Sequence, residues 1–185
     1  MNEQDVNLKD SKHAWSLGHK LMRGLWRLVW SLLGRPGPRF LSPWRVFLLR
    51  LFGATIGRHV LVCGRVNVLM PWNLEIADCV AVSEQVDIYN FGKVTIGHNT
   101  CLSRGVWVCT GSHDYNEPTF PLTWKDISIG HSAWIAAECF LAPGVRIGDG
   151  AVVAARSVVT RSLEGWHVYG GNPCVQIKPR RRPAR

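Results

Sequence analysis

The chain reads as an all-β protein, a left-handed parallel β-helix of about five coils behind an N-terminal helical extension. Three observations predict this. Aliphatic residues recur at every sixth position from residue 56 onward. The residue after each aliphatic is usually small. The segment ahead of them carries three- and four-residue periodicity instead.

Residues 1–53 form the extension. Within 14–33, Leu21, Leu25, Leu28 and Leu32, together with Trp15, Met22, Trp26, Val29 and Leu33, fall at helical steps and predict a helix with a wide apolar face. Lys20, Arg23 and Arg27 lie on the complementary side. The run from Leu28 to Leu33 is too short to span a bilayer, and residues 34–38 (Gly-Arg-Pro-Gly-Pro) end the helix. A second apolar and basic segment follows at 43–52. Two readings stand: the helices pack on the body or a neighbouring subunit, or the first lies on a membrane surface with Trp15, Trp26 and Trp30 at headgroup level.

Residues 54–177 hold the repeat. Its aliphatics are Ile56, Val62 and Val68; Ile76, Val82 and Ile88; Ile96, Leu102 and Val108; then Ile129, Ile135, Leu141, Ile147, Val153 and Val159. Six residues make one short strand and one corner, and three such sides close a triangular coil whose aliphatics point inward. The small followers, such as Gly57, Ala77, Gly97, Gly130 and Gly148, suit a corner with little room. A β-sandwich would alternate with period two throughout and would not place small residues there. Between groups the step grows to eight, eight and twenty-one. The last insertion expels residues 114–128 as a loop, whose prolines and aromatics predict packing on something, an adjacent subunit included.

The net charge of +9 is partly carried by a basic tail, residues 178–185. Such a balance permits an anionic membrane, a phosphorylated ligand or nucleic acid as partner. Nucleic acid has no support beyond the tail and is not expected. None of the six cysteines forms a CxxC pair, so no zinc ribbon or redox motif is expected, and reduced thiols in a cytoplasmic protein are. The polar, acidic first ten residues do not form a signal peptide.

His113 stands where the third coil gives way to the loop. Imidazole accepts a proton near neutral pH, as direct attack of an acceptor hydroxyl on a thioester requires. Ser112 and Asp114 do not complete a triad, because neighbours on an extended strand face opposite ways. Cys109 is about 13 Å away along a strand. His59, His98, His113 and His131 show no spacing that gathers three metal ligands, so no metal is expected.

Several pieces of the sequence resemble one family: TGSHDY at 110–115, IGHSAWIAA at 129–137, PGVRIGDGAVVAARSVVT at 143–160 and YGGNPCVQIK at 169–178, with PWNLEI at 71–76, VDIYN at 86–90 and WRVFLLRLFGATIG at 44–57. Together they resemble the hexapeptide-repeat acyltransferases, specifically the exopolysaccharide (colanic-acid type) acetyltransferases. The resemblance implies a homotrimer with active sites between subunits, acetyl-CoA as co-substrate, and a sugar or a lipid- or nucleotide-linked sugar as acceptor. It implies His113 as catalytic base, with Asp114 beside it. It implies CoA contacts from Trp134, Ala137, Ala155, Thr160, Arg161, Gly171, Asn172, Pro173 and Lys178, and acceptor contacts from Asn90 and Tyr115. The expected activity is O-acetylation of a sugar hydroxyl in polysaccharide biosynthesis, in the cytoplasm or at the inner face of the membrane. Another acyl donor, or a non-catalytic scaffold, is the alternative. Where the family usually has Ser-Gln, this chain has Ser103-Arg104, which bears on acceptor choice or a subunit contact.

Overall fold

The structure is a computed structural model that describes Val6 and residues 15–182. Short parallel strands stack into a three-faced left-handed β-helix. The first face holds Thr55–Ile56, Leu74–Ile76, Val94–Ile96, Ile127–Ile129 and Arg146–Ile147. The second runs from Leu61–Val62 to Val152–Val153, and the third from Asn67–Val68 to Val158–Val159. Register puts Ile56, Ile76, Ile96, Ile129 and Ile147 in one inward column. Val62, Val82, Leu102, Ile135 and Val153 fill the second, and Val68, Ile88, Val108, Leu141 and Val159 the third. All fifteen are buried, so the six-residue period is the interior of the prism.

The solenoid is longer than five coils. Leu163 bridges to Ile147 on the first face, and Tyr169 continues the Val153 column. This sixth, partial turn escapes the repeat because Leu163 follows Val159 by four residues instead of six. Val175–Pro179 then folds back antiparallel on His167–Gly170, pairing Lys178 with Val168. Arg180 donates to the carbonyls of Ser132 and Gly150 and stacks over Trp166, so the basic tail that begins at residue 178 is held to the prism as far as Arg180.

Corners turn through left-handed residues, among them His59, Cys79, Asn99 and Ser132 at φ 55–59°. Space there is limiting: a Cβ on Gly148 would lie 2.3 Å from the Gly165 nitrogen.

All three insertions stack at one edge, between the third and first faces. The first is the 3₁₀ turn Pro71–Asn73, the second spans residues 90–93, and the third is an antiparallel hairpin of Gly111–His113 and Leu122–Trp124. The excursion runs from 111 to 126 and not 114 to 128. Ile127 and Ser128 already pair with Val94 and Thr95, and the buried Ile127 side chain fixes that register.

Helix α1 (Leu17–Val29) starts at Ser16, whose hydroxyl accepts the His19 amide, and passes into a π turn at Trp30–Gly34. Helix α2 spans Ser42–Leu51. Together they close the first coil with side-chain donors. Arg50 donates to the carbonyls of Ile56 and Gly57, Ser42 to Val60, Arg45 to Val62, Trp30 to Val66 and Trp26 to Val68. The helices thus replace the hydrogen bonds that a preceding coil would have made. Trp26 and Trp30 are 1% and 2% exposed. Of the two placements left open by the periodicity, these two tryptophans take the one on the body and do not reach a membrane interface. Their indole N–H groups are used by the prism.

Candidate functional site

The insertion edge gathers aromatic rings around His113. Trp15 stacks on Trp124 at 5.7 Å and on Phe91 at 6.2 Å, and Phe91 packs edge-on to Tyr89 at 4.9 Å. The hairpin therefore packs on the chain's own helical extension. A cavity of about 400 Å³ opens here, lined by Trp15, Lys20, Arg23, Tyr89, Phe91, His113 and Leu122. The Arg23 guanidinium lies over both the Trp15 and Phe91 rings at 5.8 Å.

The hairpin orients the imidazole. His113 Nδ1 lies 2.7 Å from the Phe120 carbonyl oxygen. A carbonyl only accepts, so in the neutral ring Nδ1 carries the hydrogen and Nε2 keeps its lone pair. His113 is exposed, and Nε2 is the nitrogen left for a substrate proton. Asp114 does not take part in this arrangement. Its carboxylate accepts the Asn116 amide at 3.0 Å and serves the turn. Tyr115 is 76% exposed on the same turn and does not line the cavity.

Asn90 is fully buried. Its Oδ1 accepts the Met70 amide and its Nδ2 donates to the Met70 carbonyl, so the side chain is a rung between coils and not an acceptor ligand. The sequence match placed it correctly at the edge but could not show that both amide groups were occupied. The residues that sequence reasoning missed are Tyr89, Phe91, Leu122 and the cavity role of Trp15, Lys20 and Arg23. A signal existed: every insertion brings an aromatic or proline to the same phase of the repeat, five residues before the next inward aliphatic (Pro71, Phe91, Trp124).

The other expected positions separate into two groups. Trp134 lies on the second face and donates to the Ser103 hydroxyl at 2.9 Å. Ala137, Ala155 and the exposed Gly171-Asn172-Pro173 turn share the corner between the second and third faces, where Arg156 bonds the Ala137 carbonyl. Lys178 lies on the outermost strand of the second face. Thr160 and Arg161 sit at the insertion edge with His113, across the third face. Arg104 occupies the second–third corner, where its Nε donates to Gln85 at 2.7 Å.

Among the described residues no three His, Cys, Asp or Glu side chains converge as a metal site. His98 and His131 stack at 4.7 Å on the opposite corner, and His131 pairs with Asp149 at 3.1 Å. The cysteines are unbridged. Burial pushes the thiols of Cys63, Cys109, Cys139 and Cys174 above the ordinary range. A raised thiol pKa leaves less thiolate at any given pH and so less nucleophile. Iodoacetamide on the native protein at pH 8 is expected to modify exposed Cys79 first. Cys139, which also donates to the Ala154 carbonyl, is expected to react only on unfolding, as peptide mapping of the alkylated protein would show.

Comparison with known proteins places these features. Residues 126–161 match the bacterial transferase hexapeptide (six repeats) family. The chain is 42% identical over 163 residues, 88% of its length and 90% of the relative's, to a protein of Escherichia coli K12 named as the colanic acid biosynthesis acetyltransferase WcaF. It is 28% identical over 142 residues to the galactoside O-acetyltransferase of the same organism, covering 72% and 68% of the two chains. The fold matches the hexapeptide-repeat acetyltransferase VCA0836 of Vibrio cholerae, solved with acetyl-CoA, with a TM-score of 0.83 at 20% identity over 92% and 93% of the chains. It also matches a galactoside acetyltransferase solved with coenzyme A, with a TM-score of 0.82 at 24% identity over 93% and 88%.

Proposed function

Since the chain belongs to the hexapeptide-repeat acetyltransferases, we propose that it moves the acetyl group of acetyl-CoA to a hydroxyl of a phosphate-bearing sugar, with His113 as general base. The observation that carries this reading is the imidazole held at Nδ1 by the Phe120 carbonyl at the mouth of an aromatic cavity. Acetyl-CoA supplies the thioester carbonyl. His113 Nε2 takes the acceptor hydroxyl proton as the new C–O bond forms. The resulting imidazolium returns that proton to the departing sulfur, so no base is consumed. Asp114 acts through the turn that shapes the hairpin, and not on the proton.

The aromatic rings suit the apolar face of a sugar. Lys20 and Arg23 suit a phosphate attached to it, whether the sugar is linked to a nucleotide or to a lipid. For the donor, half-buried Ala137 and exposed Ala155 are small enough to leave room for a pantetheine arm. Arg161 and Lys178, which make no ion pair among the described residues, are available to its phosphates. Ala137 and Ala155 lie at the edge of the third face opposite His113, Lys178 lies on the second face, and Arg161 lies at the insertion edge beside His113. A groove that uses both edges of the third face is best completed by the edge of a second copy, which fits the expected homotrimer with sites between subunits.

A thiol-release assay with acetyl-CoA and a panel of free and phosphorylated hexosides tests the reading. Acceptor-dependent release of CoA is expected, with the lowest KM among phosphorylated acceptors. In Arg23→Gln, KM for the phosphorylated acceptor is expected to rise about tenfold, the loss of about one charge-assisted contact, while KM for its neutral counterpart stays within a factor of about two. No release with any acceptor would overturn acetyl transfer. Equal KM changes for both acceptor types would overturn the phosphate role.

A further inference from the structure

The extension that closes the prism is apolar on two sides. Trp26 and Trp30 face the first coil and are buried. The opposite side of α1 and of the π turn that follows it presents Leu17, Leu21, Leu25, Leu28 and Leu32, each 55–73% exposed, in a stripe with steps of four, four, three and four. The patch continues onto α2. Trp44 donates its indole N–H to the Leu33 carbonyl at 3.0 Å and stacks on Phe47 at 5.5 Å, and both rings are more than 40% exposed. Eleven of the eighteen exposed large apolar residues of the described chain fall between Leu17 and Leu51. A run of this extent on a folded surface marks a contact with something apolar.

The charge around it says what. From residue 11 to residue 74 there is no Asp or Glu, and there are ten Lys and Arg. Lys20 and Arg27 are exposed beside the leucine stripe. A second copy of the same face would bring these cations together with no carboxylate to pair them. An acidic bilayer would meet both features, acyl chains for the leucines and headgroup phosphates for the cations. No described helix is long and apolar enough to cross a membrane, so the contact would lie along the surface.

We propose that the outer face of α1 and α2 docks this protein on an anionic phospholipid surface, with the leucine stripe at the headgroup–acyl boundary and Lys20 and Arg27 on phosphates. The membrane reading left open by the sequence put Trp15, Trp26 and Trp30 at that boundary; the structure assigns the role to the leucines and to Trp44. The docking does not depend on the acetyl-transfer reading. It does have a consequence for it: Trp15, Lys20 and Arg23, at the start of the same helix, line the cavity at His113, so a docked α1 brings that cavity to the lipid surface.

Sedimentation of the full chain with vesicles tests the proposal, comparing phosphatidylcholine alone with equal parts phosphatidylcholine and phosphatidylglycerol. Wild type is expected to pellet with the anionic vesicles and to be released by salt. Leu21→Asp/Leu25→Asp/Leu28→Asp, which alters only exposed positions, is expected to lose at least about tenfold in vesicle affinity. Its oligomeric mass by light scattering and its helical circular dichroism are expected to be unchanged. Lys20→Glu/Arg27→Glu, which keeps the stripe, is expected to lose the preference for anionic lipid. Three results would overturn the idea: wild type that pellets with neither vesicle, a leucine variant whose mass falls because the stripe joins copies, or a charge variant that still prefers anionic vesicles.

Discussion

His113→Ala is expected to lower kcat at least about a hundredfold, the usual worth of a positioned general base, with the KM for acetyl-CoA little changed. Asp114→Asn is the informative companion. In a triad, loss of the carboxylate would leave the imidazole without its orienting partner. Here the partner is the Phe120 carbonyl, which no side-chain substitution removes, and Asp114 bonds the Asn116 amide instead. An asparagine keeps an oxygen for that amide, so Asp114→Asn is expected to retain activity within a factor of about five, the cost of a slightly weaker turn contact. Steady-state kinetics of both variants decides. A large loss at Asp114 would show that the carboxylate acts on the reacting groups, and an unimpaired His113→Ala would remove the proposed base.

The second large effect is on stability. Arg45 is fully buried and donates to five carbonyls: Gly34, Pro36, Gly37, Pro38 and Val62. Burial pulls its pKa below the ordinary guanidinium range, the expected direction for a desolvated cation, and the five acceptors compensate. Four of them belong to residues 34–38, which fold around the guanidinium as around a template. Arg45→Met fills much of the space but leaves those carbonyls without a donor. At ~1–3 kcal/mol for each unsatisfied buried group, part of which water entry would relieve, a loss of about 3 kcal/mol is expected. For a chain of this length that is roughly 6–12 °C in Tm. Arg45→Lys, with three donors on one atom, is expected to fall between. Thermal denaturation measures the loss, and limited proteolysis at 34–38 is expected to locate it.

The two predictions differ in how far the sequence supported them. The prism was legible because its interior obeys one rule: an inward aliphatic every sixth residue survives three insertions without losing its column. The place of His113 at the cavity edge was legible for the same reason, since it stands where the longest insertion leaves that rule. What the rule does not govern was not visible. Trp26 and Trp30 fit a helical period, but a period names a face without saying whether protein or lipid covers it. Here a second face, of leucines, competed for the same reading. Asn90 matched a motif by spacing, yet its environment is set by Met70, twenty residues away in sequence and adjacent in space. Arg45 is one of two arginines in the apolar and basic segment at 43–52, and nothing in their spacing separates the buried one from the other. Its burial follows from where Pro36 and Pro38 turn the chain, which depends on contacts far apart in sequence.

The side-chain donors that close the first coil also bear on how the molecule behaves among its own copies. A solenoid whose terminal rung is bare offers a ready template to the next chain, and parallel β-structure propagates by such pairing. Trp26, Trp30, Ser42, Arg45 and Arg50 occupy the acceptors of that rung one by one, and the folded-back Val175–Pro179 covers part of the far end. The two ends are thereby made unlike any strand that could join them. The extension is in this sense a stop signal against end-to-end fibre growth, written in indoles and guanidinium groups, and a chain begun at Thr55 would lack it.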